Sequence, residues 1–150
     1  MARTKYFKRR RLTLAQQIYF MRLAFPLFTA QRFTNVVEWI GLVTPGDLSD
    51  TYRVKVRYKI PDRPEVTVLS PVLRLAKGKK RLPHVFPPDW TKLCLYVNGE
   101  WSPDKPVAWI IPWIAFWLYF YEAWLITGKW FGEGHEPAGK DLTNVPNPEY

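Results

Sequence analysis

Cysteine is nearly absent. Cys94 is the only one in 150 residues, so no disulfide can close within the chain and no zinc site built on several thiolates can form. A lone thiol favours a reducing, cytoplasmic setting. Histidine is almost as scarce, with His84 and His135 alone. Together with Cys94 they make a thin ligand set, and no metal is expected. Phosphate-cradling loops are missing too: Gly132-Glu133-Gly134 is a loose glycine pair, and no Walker or dinucleotide pattern occurs, so no small-molecule cofactor is expected. No Ser-His-Asp constellation is evident. The longest uncharged apolar run, Val107 to Tyr121, contains Pro112 and ends at Glu122. A spanning helix needs about 20 apolar residues, so this run predicts a buried or interfacial helix and no membrane span. The stretch after the basic N-terminus holds Gln16, Gln17 and Arg22 and has no small-residue cleavage site, so no secretory signal is expected.

What is present is aromatic and basic. Hydrophobic residues make up 47% of the chain and aromatics 17%, enough to fill a core and exclude disorder throughout. At this length one domain is expected. Lys and Arg number 22 against 13 acids, a net charge of +9. Six of those cations, Arg3, Lys5, Lys8, Arg9, Arg10 and Arg11, crowd into residues 1–11 with no acid among them. Such an arm suits nucleic acid, acidic lipid or an acidic protein face, or is simply solvated. No recognisable nucleic-acid motif accompanies it, and no specific nucleic-acid partner is expected. A second cluster, Lys77, Lys79, Lys80 and Arg81 around Gly78, reads as an exposed loop. The 14 prolines lie well above the usual ~5% and limit long helices.

Periodicity gives the order of elements. Leu12 to Phe25 carries helical spacing, with Thr13 as N-cap and Pro26 as stop. Val36 to Val43 is a β-branched and aromatic run closed by the turn Thr44-Pro45-Gly46-Asp47. Tyr52 to Ile60 alternates strictly, with Arg53, Lys55, Arg57 and Lys59 on one side, which predicts a half-buried strand with a cationic outer face. Glu65 to Leu69 begins a third strand and Val72 to Leu75 a fourth. Short turns between them imply an antiparallel meander with helices on one face. Residues 82–103 read as irregular. Val107 to Ile126 is a second helix ending at Gly128, with Trp109, Trp113, Phe116, Phe120 and Trp124 on one stripe. It is apolar all round, so the sheet, the first helix, the tail or a second subunit must cover it. The fold class is therefore α+β, organised as a basic arm over 1–11, a domain over 12–130, and a Gly/Pro-rich tail over 131–150.

Taken one at a time, Cys94 between Leu93 and Leu95 reads as a small core residue, and His84 as a structural histidine. Taken together, the ordered motifs resemble the ubiquitin-conjugating enzymes. Leu82-Pro83-His84-Val85-Phe86 precedes Leu93-Cys94-Leu95, with Cys94 ten positions after His84. Trp101-Ser102-Pro103 and a helix follow, and Ser70-Pro71-Val72 matches the proline of the fourth strand. The phrasing of Glu100-Trp101-Ser102-Pro103, Ile110-Ile111-Pro112-Trp113 and Trp117-Leu118-Tyr119-Phe120-Tyr121-Glu122 is similar to the bacterial stand-alone forms found in CBASS antiphage operons. The resemblance implies an N-terminal helix, a four-strand meander, an active-site loop and a long C-terminal helix. It also implies that Cys94 forms a thioester with the C-terminus of a cGAS/DncV-like nucleotidyltransferase. His84 would fix the loop by hydrogen bonding, Trp101 would pack it on the final helix, and Asp89 and Asp104 would steer an incoming amine. Lys92 and the cations of 77–81 would favour the thiolate if the fold brings them close. Val85 and Phe86 depart from the family's Pro and Asn, which removes an amide donor. The alternatives are a non-catalytic scaffold of the same fold and a basic membrane- or nucleic-acid-binding module. The 107–126 helix is the expected surface for a homodimer or for the nucleotidyltransferase.

Overall fold

Thr13 opens the first helix, α1 (Leu14–Ala24), through a reciprocal capping box: Gln16 N–H donates to Thr13 Oγ1 at 3.1 Å, and Thr13 N–H donates to Gln16 Oε1 at 2.9 Å. The computed structural model describes residues 10–132; most of the basic arm (1–9) and of the tail (133–150, including His135) lies outside the described residues. Six strands follow α1: β1 (Thr29–Arg32), β2 (Val36–Val43), β3 (Tyr52–Lys59), β4 (Glu65–Ser70), β5 (Val85–Phe86) and β6 (Lys92–Leu93). A 3₁₀ turn (Val107–Ile110) then leads into α2 (Ile111–Thr127). The α+β class stands, with one antiparallel sheet in the order β1-β2-β3-β4-β6-β5.

The strict alternation of β3 is realised in full. Tyr52, Val54, Val56 and Tyr58 are buried, while the four cations between them face outward. Register pairs like with like, Val56 opposite Trp39 on β2 and Val66 on β4. On the outer face Arg57 meets Glu38 at 2.9 Å and Lys92 meets Glu65 at 3.5 Å. Gly41 falls on the inner face because the Phe28 ring lies 2.5–2.6 Å from where a Cβ would be.

Several expectations need correction. The sheet has six strands where a four-strand meander was expected: β1-β2-β3-β4 form the meander, and the stretch 82–103, read as irregular, adds the β5–β6 hairpin beside β4. Val72 to Leu75 is not a strand: Pro71 lacks an N–H, Arg74 N–H donates to the Tyr121 hydroxyl at 2.8 Å, and β6 pairs with β4 instead. β1, with the sequence TAQR and all four residues exposed, has no alternation to reveal it. The second helix begins as a 3₁₀ turn, since Pro112 is tolerated only within the first α-helical turn. Its C-cap is Gly128 in the left-handed conformation (φ 73°), as expected. The stripe that packs inward is Ile111, Ile114, Trp117, Leu118, Tyr121 and Trp124, so of the five aromatics singled out only Trp124 lies on it. Trp109 and Phe116 face out at 57% and 60% exposure.

By length and composition alone the stretch Val107–Thr127 is apolar enough to cross a membrane. Here its inner stripe belongs to the same core as β2 and β3. Glu122, its single charge, accepts from the Tyr52 hydroxyl at 2.9 Å and from Asp50 N–H at 3.2 Å.

A buried glutamine ties the helices together. Gln17 is fully buried on α1; its Nε2 donates to the Lys105 carbonyl at 3.0 Å and its Oε1 accepts from Val107 N–H at 2.7 Å. Replacing it with leucine keeps the volume but orphans both backbone groups. Gln17→Leu is expected to lower the unfolding free energy by about 2–4 kcal/mol, read from urea denaturation.

Candidate active site

β5 and β6 form a short hairpin in which Val85 faces Leu93 and Phe86 faces Lys92. Extending that register by one residue sets His84 against Cys94, and Cys94 N–H donates to the His84 carbonyl at 2.9 Å. The ten-residue spacing in the sequence is thus the register of a hairpin. Its loop closes with Trp90 N–H on the Phe86 carbonyl at 3.1 Å, with Trp90 itself in the left-handed region (φ 58°). His84 is left-handed too (φ 48°). That conformation is costly for a non-glycine residue and persists only where the surroundings fix it. They do so here, because the same His84 carbonyl also accepts from Trp117 Nε1 at 3.1 Å. The imidazole lies 4.9 Å from the Trp130 ring.

The loop is thus fixed at His84 through backbone as well as ring. Trp101 packs edge-on to Tyr58 at 5.6 Å and donates from Nε1 to the Pro106 carbonyl at 3.0 Å. It anchors the segment after Cys94 to β3 and to the entry of the final helix.

The Cys94 sulfur is recessed. The residue is 8% exposed, and its thiol donates to the Tyr96 carbonyl at 3.8 Å. It lines a cavity of about 500 Å³ walled by Trp113, Phe116, Trp117 and Phe120 of α2 and by Trp130 and Phe131 beyond it. Among the described residues Glu100 is the one charged group on that wall. Trp130 and Gly132 fold back onto α2, Trp130 at 5.6 Å from Trp117 and 5.9 Å from Phe120. A Cβ on Gly132 would come within 2.6 Å of Phe120, so only glycine lets the strap lie this close.

The cations named from sequence do not reach this wall. Lys92 is held by Glu65, and Arg81 lies over the Trp90 ring at 4.1 Å. A different cation does come close. Arg63, in the β3–β4 turn, is sandwiched between the Phe86 ring at 4.6 Å and the Tyr96 ring at 4.4 Å, and its Nη2 donates to the Tyr96 carbonyl at 2.8 Å. No local pattern marks Arg63, because its partners lie 23 and 33 residues further along the chain. Asp89 is exposed in the hairpin loop, and Asp104 accepts from the Ser102 hydroxyl. Neither lines the cavity beside Cys94.

The model of one protein family, described as type II CBASS E2 protein, matches residues 17–137, about four-fifths of the chain. No curated protein matches it.

The tyrosines on which the site is built carry a pH signature. Burial pushes the Tyr52, Tyr58 and Tyr96 phenols above the ordinary tyrosine range; at Tyr52 the bond to Glu122 adds to it, and at Tyr96 the Arg63 charge opposes it. In the unfolded chain these phenols ionise near pH ~10, whereas in the fold they stay protonated. Above that pH the unfolded state binds fewer protons, so stability is present below about pH 10 and falls as pH rises beyond it. Urea midpoints are expected to drop between about pH 9 and 11, and Tyr58→Phe is expected to flatten the drop.

Proposed function

That this chain belongs to the type II CBASS E2 family is the premise from which we propose that it is a ubiquitin-conjugating-like transferase whose Cys94 carries an acyl group. The observation that carries the reading is the hairpin: its register brings the His84 backbone against Cys94, and the sulfur then opens onto an aromatic cavity. In the proposed step the Cys94 thiolate adds to an activated carbonyl at a partner's C-terminus, an acyl adenylate or a thioester. A carbon–sulfur bond forms, the bond to the leaving group breaks, and AMP or a thiol departs. The partner is the CBASS cGAS/DncV-like nucleotidyltransferase, and the purpose is regulation of antiphage signalling in the cytoplasm. The described fold agrees with a ubiquitin-conjugating architecture in its leading helix, antiparallel sheet, proline-rich active-site segment and closing helix. The uncovered side of the 107–127 stretch, with Trp109, Phe116 and Tyr119 exposed, offers that partner or a second copy an apolar surface.

Phe86 cannot donate a hydrogen bond to the oxyanion of an attacked thioester. Loss of one such donor commonly costs ~10²–10³ in rate. Transfer to an amine is therefore slow in this reading, and the thioester persists as a held adduct.

A second reading, a scaffold of the same fold with Cys94 as core, is favoured by one observation: the residue is only 8% exposed. The two part on a single experiment. Protein co-expressed with its operon's nucleotidyltransferase and activating components is expected to show, by intact mass, the sum of the two chains less one water. That adduct should be lost on treatment with hydroxylamine and absent in Cys94→Ala. An adduct that persists in Cys94→Ala, or none in the parent, overturns the reading.

A further inference from the structure

The Tyr96 carbonyl oxygen has two donors, the Cys94 thiol at 3.8 Å and the Arg63 guanidinium at 2.8 Å. We infer that Arg63 is a positioning residue for Cys94, holding the carbonyl oxygen that accepts from its thiol and setting the ease with which the thiol ionises. This rests on Cys94 being the reactive group of the proposed function.

A carbonyl that accepts from S–H favours the neutral thiol, and once the proton leaves, its lone pair faces a thiolate. A guanidinium on the same oxygen withdraws that electron density and adds a permanent positive charge to the acceptor the sulfur faces, which favours the thiolate. The charge is held rigidly. Two aromatic faces, Phe86 from β5 and Tyr96 from the segment after β6, clamp the guanidinium plane at 4.6 and 4.4 Å. An exposed lysine on a flexible stem has no such fixed place. Phe86 thereby acts on the sulfur without touching it, through the cation it stacks on.

The other ionisable groups around the sulfur do not duplicate this. Glu100 shares the cavity wall and carries the opposite sign, with its Oε1 taken by Val97 N–H at 2.9 Å. The hairpin contributes His84, which meets Cys94 through its backbone, and Lys92, which is held by Glu65. The Tyr96 phenol stays protonated in the thiol's range, pushed up by burial. α2 adds only aromatic rings to the cavity, and so does the strap with Trp130 and Phe131.

The test is the rate at which the full-length protein, alone, reacts with iodoacetamide between about pH 6 and 10, a range that brackets the ordinary thiol pKa of ~8.5. Arg63→Met keeps the packing stem and removes the charge. Its alkylation rate at pH 7 is expected to fall about three- to tenfold, with the midpoint of the profile rising by about half to one pH unit. Arg63→Lys is expected to recover much of the loss. A purely structural arginine predicts something different: Arg63→Met would change the rate equally at every pH and leave the midpoint in place. That result overturns the inference, as does a parent thiol silent across the whole range. Should Arg63→Met lose its near-ultraviolet circular dichroism, Phe86→Leu carries the test, since it removes one face of the clamp and should also raise the midpoint; an unmoved midpoint there counts against the inference. Because no partner is present, a shifted midpoint together with absence of the co-expressed adduct would refute the acyl-carrier reading and leave the role of Arg63 intact.

Discussion

One backbone oxygen holds the site together. The His84 carbonyl accepts from Cys94 N–H on one side and from the Trp117 indole on the other, so a single acceptor joins the hairpin to the final helix. A carbonyl has two lone pairs, and both are used. The cost is a left-handed backbone at a non-glycine residue, which is sustained because both donors are fixed elsewhere, one by β6 and one by α2. Without that shared acceptor, β5 and β6 would be two-residue strands at the end of a sheet, too short to hold a register alone. The sulfur's place relative to α2 follows from it.

Two further polar side chains, Gln17 and Glu122, follow the same economy. Gln17 spends its amide on two backbone groups at the entry to the 3₁₀ turn, and Glu122 spends its carboxylate on Tyr52 and on Asp50 N–H. Each fixes one end of the 107–127 stretch, the first against α1 and the second against the turn before β3. An apolar helix has no register of its own against an apolar sheet, since Leu or Trp can pack in many places. Hydrogen bonds are directional, and these two points, with the Trp117 bond to the His84 carbonyl, seat α2. With that seating the wall of aromatics meets Cys94.

How much of this was legible depended on whether the signal was local. The capping box at Thr13, the β3 alternation and the Gly128 cap each lie within a few residues of chain, and each stands where the sequence put it. The stripe on α2 was misread because every face of that helix is apolar; five aromatics at helical spacing look like a core face, yet aromatic character does not say which side meets the sheet. β1 was invisible, for its four residues are exposed on an edge and carry no period. The site divides in the same way. His84 and Cys94 were brought together by the family resemblance alone, since the hairpin that joins them lies in a stretch with no period to read, whereas Arg63 reaches Tyr96 only through the sheet's long-range topology.

Phe86 shows why a departure from a family pattern is not simply a loss. An amide at that position donates a hydrogen bond; a phenyl ring cannot. The ring does offer a flat negative face, and the Arg63 guanidinium occupies it at 4.6 Å. Under the proposed function, the exchange would move the polar help from the acyl side of the reaction to the sulfur side. Help to the sulfur would ease formation of a thioester, while the missing donor would slow its breakdown by an amine. The sulfur is also recessed, in a residue that lines an aromatic cavity with Trp113, Trp117 and Trp130. Under the proposed function, a site with these three properties would suit holding an acyl group rather than passing many on, and the ring at position 86 bears on two of the three.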